Sequence, residues 1–183
     1  MTDPPARSFE LLSRETVWSG RIVHATRNVY RYPDGREQVR EIVHHPGAAA
    51  VVAHDDLHVW LVVQPREAIG EPDVLEIPAG KLDVPGEPPL ECARRELVEE
   101  VGKTAREWEP IVSFAPSVGV MDEIIHIFHA TGLGEAPGGA AAQPDERIEI
   151  VAWPLDDLDG AIAVARDSKT LIGLMWLRER LRR

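Results

Sequence analysis

Cysteine is nearly missing from this chain. Cys92 is the only one in 183 residues, so no internal disulfide can form, which fits a reducing compartment. No apolar run reaches the roughly 18 residues that a transmembrane helix needs. The opening Met-Thr-Asp-Pro-Pro-Ala-Arg-Ser lacks the apolar core of a secretory signal. The expectation is a cytoplasmic protein with no membrane partner. Basic charge is scarce as well: 20 Lys and Arg stand against 31 Asp and Glu, a net charge of −11. Nucleic-acid phosphates demand a basic surface, so nucleic acid is not an expected partner. Arg178, Arg180, Arg182 and Arg183 read as a solvated helix end. The seven histidines show no metal-ligand spacing, and His44-His45 reads as a strand end. No internal repeat is visible.

What is present is enough for a core. Hydrophobic residues make up 44% of the chain, and the length fits one domain with a small appendage. Residues 1–10 read as loosely attached. Thr16–Trp18, Arg21–Thr26, Val29–Tyr32 and Gln38–Val43 read as short strands, with Pro33-Asp34-Gly35 as a hairpin turn. A few polar strands bury little by themselves, so residues 1–45 are expected to form a small antiparallel unit that packs on something larger. Trp18 is expected to pack among these strands rather than to stack on a ligand. Residues 46–183 would form the main domain. Ala48–Ala53 and Val59–Val63 are apolar runs expected as buried central strands. Val74–Ala79, Ile111–Phe114, Ile124–Ala130 and Ile148–Trp153 are further strands. Gly132–Pro144 reads as a long flexible loop of the kind that forms lids. Leu155–Arg166 and Lys169–Arg182 read as terminal helices, the second capped by Ser168. Strands and helices mix without strict alternation, which implies a mixed sheet flanked by helices.

The most informative segment runs from Gly80 to Gly102. Pro88 and Pro89 suit a first helical turn and Gly102 a C-cap. Between them Leu90, Ala93, Leu97 and Val101 form a buried stripe. Glu96, Glu99 and Glu100 gather on the same side, since residues three and four apart are helix neighbours. Like charges at that spacing repel, so helix stability does not explain them. A hard divalent cation does, because such ions prefer carboxylate oxygens and also bind substrate phosphates. Cys92 falls inside this helix with no histidine near it in sequence, and reads as a packing residue rather than a nucleophile.

This segment resembles the Nudix box, G-x5-E-x7-R-E-U-x-E-E-x-G-U with U apolar. Glu87, Arg95, Glu96, Leu97, Glu99, Glu100 and Gly102 match in register. The gap from Gly80 to Glu87 is one residue longer than the pattern, and Lys103 takes the last apolar position. More of the chain is similar to the branch that hydrolyses ADP-ribose and related nucleoside diphosphate sugars. The parallels are Arg40-Glu41 before His45-Pro46-Gly47, Gln64-x-Arg66, Glu76-Ile77-Pro78-Ala79-Gly80, Asp145-Glu146 and Ser168-Lys169-Thr170. The branch carries Ser-Pro-Gly where this chain has Ser117-Val118-Gly119.

The resemblance implies an α/β/α sandwich with a mixed central sheet, and a homodimer in which the N-terminal strands add to the partner's site. It implies Mg²⁺, with Mn²⁺ as the other candidate, held by Glu96, Glu99, Glu100 and the carbonyl of Ala79. Arg95 would orient Glu99. Glu146 is the candidate general base, with Asp145 and Glu149 as rivals. Arg40 and Arg66 are candidates for the diphosphate or the terminal sugar, because a guanidinium fork suits phosphate oxygens. Glu123, beside Asp122, is a candidate for a ribose hydroxyl. The activity implied is hydrolysis of the pyrophosphate bond of ADP-ribose, to AMP and ribose 5-phosphate, or of a similar nucleotide sugar. Two alternatives stand beside it: a pyrophosphatase for nucleoside triphosphates or dinucleoside polyphosphates, and a non-catalytic module that senses nucleotide sugars.

Overall fold

The computed structural model describes residues 8–140 and 147–182. The chain divides into two compact units, Met1–Pro46 with Ala115–Ile124, and Gly47–Phe114 with Ile125–Arg183.

The first unit is a three-stranded antiparallel sheet in the order β1-β2-β3, with β1 at Glu10–Ser19, β2 at His24–Arg31 and β3 at Glu37–His44. The Pro-Asp-Gly turn forms where the sequence places it, and the Gly35 N–H donates to the Tyr32 carbonyl at 2.9 Å. The sequence reading gave nothing of residues 115–124 to this unit. They join it because their backbone runs beside β3: the Val43 N–H donates to the Val120 carbonyl at 2.8 Å, and the Asp122 N–H donates to the Val43 carbonyl at 3.2 Å. Side chains fasten the same segment. The Asp122 carboxylate accepts from His44 Nδ1 at 2.5 Å and from the His45 N–H at 3.0 Å, and Glu123 pairs with His45 Nδ1 at 3.2 Å. Burial opposes ionisation of Asp122, but these donors hold its pKa below the usual value. Trp18 departs from expectation. Its ring covers Gly20, yet the residue stays 56% exposed, because β1 is an edge strand with almost no buried position.

The second unit has seven strands: β4 Ala48–His54, β5 His58–Arg66, β6 Glu71–Glu76, β7 Ala79–Lys81, β8 Lys103–Phe114, β9 Ile125–Glu135 and β10 Glu149–Pro154. The main path is β10-β5-β4-β9-β8, while β6 pairs with β5 and β7 with β4. The β4–β9 pair is parallel and the other pairs are antiparallel, so the sheet is mixed. Side chains of a strand alternate between faces, and β4 shows what each face meets. Ala49, Val51 and Ala53 pack with Cys92, Ala93 and Leu97 of α1 (Pro89–Val101). Ala50 and Val52 pack with Leu158 and Ala161 of α2 (Leu158–Val164) and Leu174 and Leu177 of α3 (Ser168–Leu181). Helices therefore cover both faces, which is the three-layer arrangement expected.

Several local expectations change; the strands expected at Arg21–Thr26 and Val29–Tyr32 are the single β2, and the helix expected at Leu155–Arg166 runs only over Leu158–Val164. The strand expected at Ile111–Phe114 begins at Lys103. Its first half is charged, and β8 is an edge strand, where charge is tolerated and even protective. Accordingly β9 extends to Glu135 through Gly132 and Gly134, pairing Thr104 with Gly134 and Lys103 with Glu135. The loop expected from Gly132 is thus shorter, and its residues 141–144 lie outside the described residues. Val74–Ala79 is not one strand. Pro78 separates β6 from β7, which pair with different neighbours. Finally, Asp167 rather than Ser168 caps α3, accepting from the N–H groups of Lys169 and Thr170 at 2.9 and 3.2 Å.

Candidate active site

Helix α1 forms as its caps require. Pro88 precedes it in an extended conformation, Pro89 opens it, and Gly102 closes it with φ 72°. That left-handed conformation favours glycine. Space demands glycine too, since a Cβ there would lie 2.6 Å from the Ala140 backbone nitrogen. Ala93, Leu97 and Val101 of the expected stripe pack into the core with the fully buried Cys92, while Leu90 in the first turn stays half-buried. Burial pushes the Cys92 thiol up to about 12, so it stays protonated and serves packing.

The same packing draws two carboxylates inward. Glu96 is 8% exposed and Glu100 4%, while Glu99 lies half-buried beside them. Both buried carboxylates rest against the backbone at the start of β7. Glu100 Oε2 accepts from the Ala79 N–H at 3.0 Å. Glu96 fills the hollow above Gly80, where a Cβ would come within 1.8 Å of its Oε1. Any side chain at residue 80 would therefore evict Glu96. This explains in steric terms why a glycine stands sixteen positions before Glu96 in the sequence.

Arg95 organises the acidic cluster. Its Nε and Nη2 donate to the two oxygens of Glu87 at 3.0 Å each. Its Nη1 donates to Glu96 Oε1 and, at 3.2 Å, to Glu99 Oε2. The hydrogen bonds to Glu87 are the largest cause of the raised Arg95 pKa, and they lower that of Glu87 in return. Arg95 thus touches Glu99, as expected, but its bidentate partner is Glu87.

The donor set suits a hard divalent cation: three carboxylates and the backbone of Ala79, with no thiolate or imidazole among them. The hollow above Gly80 is what lets the Glu96 carboxylate lie against this backbone. Among the described residues no three such side chains converge as a ready-made cage. The reason is local, because Arg95 Nη1 already draws on Glu96 and Glu99. A cation would share these carboxylates with Arg95 or displace it.

Arg66, at the end of β5, lies in the same unit. Its Nε and Nη2 donate to the two oxygens of Glu76 at 2.5 and 2.6 Å, and it lies close enough to Glu100 to feel its charge. Arg40 and Glu123 belong to the first unit. Arg40 lines a cleft of about 420 Å³ with Phe9, Tyr30, Tyr32 and Asp122, and Glu123 is held by His45. Glu149 opens β10 and lines a cleft of about 520 Å³ with Gln64, Asp73 and Arg147. Asp145 and Glu146 lie outside the described residues.

Sequence reasoning gave Glu87 no partner and Glu76 no role. Glu76 carried a signal, as a charged residue inside the apolar run Val74-Leu75-Glu76-Ile77. It is 1% exposed, and a buried carboxylate must be paired.

Comparison with known proteins decides the family. The NUDIX domain model matches residues 43–172. The chain belongs to the Nudix family. An ADP-ribose pyrophosphatase from Mycobacterium tuberculosis is 41% identical over 146 residues, covering 79% of this chain and 70% of the relative. One from Bacillus subtilis is 36% identical over 169 residues, covering 91% and 90%. A methanol dehydrogenase activator from Bacillus methanolicus is 38% identical over 168 residues, again covering 91% and 90%. A crystal structure of an ADP compounds hydrolase shares the fold with a TM-score of 0.82 at 23% identity, over 95% of this chain and 94% of that one. This Nudix chain contains no helix, among its described residues, that is long and apolar enough to cross a membrane.

Proposed function

We propose that this Nudix protein hydrolyses the pyrophosphate bond of ADP-ribose, giving AMP and ribose 5-phosphate, or of a closely related nucleoside diphosphate sugar. One observation carries the reading: Glu96 and Glu100 are packed against the Ala79–Gly80 backbone, on a helix that matches the Nudix box. The two relatives named as ADP-ribose pyrophosphatases support the substrate class.

In this proposal Glu96, Glu99, Glu100 and the Ala79 carbonyl hold Mg²⁺, with Mn²⁺ as a substitute. A divalent cation bound there neutralises the diphosphate and acidifies water. The chain's own groups do the rest. Arg95 keeps the carboxylates oriented and charged. Arg66 and Arg40 bind phosphate or sugar oxygens, and Glu123 a ribose hydroxyl. Glu146 takes the proton of the attacking water, with Asp145 and Glu149 as the other candidates. Water adds to one phosphorus, the bridging oxygen leaves with the other, and two phosphomonoesters result. The exposed apolar side chains Leu11, Val17, Trp18 and Val39 support a homodimer formed through the N-terminal strands. The single cysteine supports a cytoplasmic location.

The test is a substrate panel with product identification in Mg²⁺. ADP-ribose is expected to yield AMP and ribose 5-phosphate, while nucleoside triphosphates yield little inorganic pyrophosphate. Pyrophosphate as the main product would replace this reading with the triphosphate one. One relative is named as an activator of another enzyme, so binding is measured in parallel. Tight binding of ADP-ribose without turnover would assign the chain to the sensing modules.

A further inference from the structure

Glu76 is the most deeply buried carboxylate that the proposed chemistry leaves without a task. It stands at the end of β6 with 1% of its surface exposed. Its two oxygens accept from Nε and Nη2 of Arg66 in a fork at 2.5 and 2.6 Å. Oε2 also accepts from Lys169 Nζ at 2.5 Å, and Lys169 reaches Asp167 at 3.2 Å. The cluster holds two cations and two carboxylates and is neutral as a whole. Burial alone would raise the Glu76 pKa, yet Arg66 and Lys169 together hold it below the ordinary value.

The geometry on either side of this cluster is what makes it more than a staple. On one side, Ile77 follows directly and its N–H donates to the buried Thr170 Oγ1 at 2.9 Å, which ties the chain to α3. Two residues later the Ala79 N–H meets Glu100. On the other side, Arg66 is only partly covered, with 42% of its side chain exposed, and it senses the charge of Glu100. Glu76 takes Nε and Nη2 of the guanidinium. A bidentate fork fixes the plane of that group, so Nη1 points in one set direction. An arginine left on a flexible stem would lose rotamer freedom each time it met a phosphate.

We infer that Glu76 is a positioning residue: it locks Arg66 in one orientation beside the acidic helix so that Nη1 is presented to an anionic oxygen of the substrate. The inference rests on the proposed reaction. Glu76 touches no substrate in this account and acts only through Arg66. Lys169 offsets the charge and anchors α3, without orienting the fork.

A double-mutant cycle on KM for ADP-ribose in Mg²⁺ tests it, with wild type, Glu76→Gln, Arg66→Ala and the double variant. Glu76→Gln is expected to raise KM about tenfold with kcat changed less than threefold. Adding Glu76→Gln to Arg66→Ala should then change KM by less than twofold, because the group that Glu76 orients is gone. Additive effects in the cycle would overturn the inference. Arg66→Lys keeps the charge but loses the fork, and leaves Glu76 in place should Glu76→Gln fold poorly. It should raise KM nearly as far as Arg66→Ala, whereas a wild-type KM would show that charge alone suffices. Lys169→Met controls for the fold. It should lower the melting temperature but hold KM within threefold, and a KM rise matching that of Glu76→Gln would assign the effect to the scaffold. If the wild type cleaves no nucleotide sugar, the proposed function fails and takes this inference with it. If the wild type is active and the cycle is additive, only the inference fails.

Discussion

Glu99→Gln and Glu100→Gln are each expected to lower turnover of ADP-ribose by roughly two to four orders of magnitude, a loss of about 3–5 kcal/mol of transition-state stabilisation. The fold should survive in both. Glu100 Oε2 accepts a hydrogen bond from the Ala79 N–H at 3.0 Å, and a glutamine carbonyl can accept the same bond. Glu99 is half-buried and its partner is one nitrogen of Arg95 at 3.2 Å, which an amide oxygen can also meet. What the amide cannot supply is the anionic oxygen that a hard cation selects. The loss should therefore appear in kcat and in apparent metal affinity, with the melting temperature of the metal-free protein near wild type. Steady-state kinetics over a range of Mg²⁺ concentrations, with thermal melts beside them, would show this. Near-normal turnover in both variants would remove these glutamates from the mechanism.

The second large effect concerns Arg95→Met. In the metal-free chain Arg95 is the counter-charge for Glu87, Glu96 and Glu99 at once. Removing it leaves three carboxylates facing one another, two of them with side chains only 13% and 10% exposed. A fully buried pair broken on one side costs about 3–5 kcal/mol. Partial exposure here reduces that to about 2–3 kcal/mol, or roughly 5–10 °C in melting temperature for a chain of this size. The informative part is the response to metal. A ligand that binds only the folded state raises its stability. An ion at the proposed site would draw on Glu96 and Glu99, the carboxylates that Arg95 orients in wild type, and so would compete with it. In Arg95→Met the ion would not, and it would also relieve their repulsion. The rise in melting temperature on adding Mg²⁺ should therefore be larger in the variant than in wild type, even as turnover falls. A smaller rise would mean that Arg95 helps to build the metal site rather than competing for it.

Much of the active helix was legible because several signals agreed on it. Prolines at its start, Gly102 at its end and an apolar stripe at helical spacing all placed one helix, and three glutamates on one flank demanded a cation. The central strands β4 and β5 were legible for a similar reason, as near-continuous apolar runs. Elsewhere the local signal pointed the wrong way. No strand is expected from the sequence over the charged Lys103–Pro110, and Gly132–Gly134 reads as part of a flexible loop. Their pairing across the sheet edge decides the matter, and a pairing partner about thirty residues away leaves no trace in a local window. The same limit hid the attachment of Ala115–Ile124 to the first unit, which depends on backbone bonds to Val43 and on imidazole partners at His44 and His45. The cap of α3 falls one residue before the expected Ser168, because the Asp167 carboxylate, also a good capping type, accepts from the Lys169 and Thr170 N–H groups. The partners of Arg66 were out of reach altogether, and for Arg95 only Glu99, one helical turn away, was legible, while its bidentate partner Glu87 was not. Which carboxylate an arginine meets is set by side-chain packing, and no spacing rule connects Arg66 to Lys169 through Glu76.

In the proposed function the acidic flank of α1 is a cation site for phosphoanhydride hydrolysis. Anomalous diffraction from crystals soaked with Mn²⁺ and a non-hydrolysable ADP-ribose analogue tests this most directly. The expected result is at least one anomalous peak within about 2.0–2.4 Å of oxygens from Glu96, Glu100 and the Ala79 carbonyl, with the diphosphate completing the coordination. Peaks confined to other surfaces, with the analogue bound and this helix bare, would contradict it.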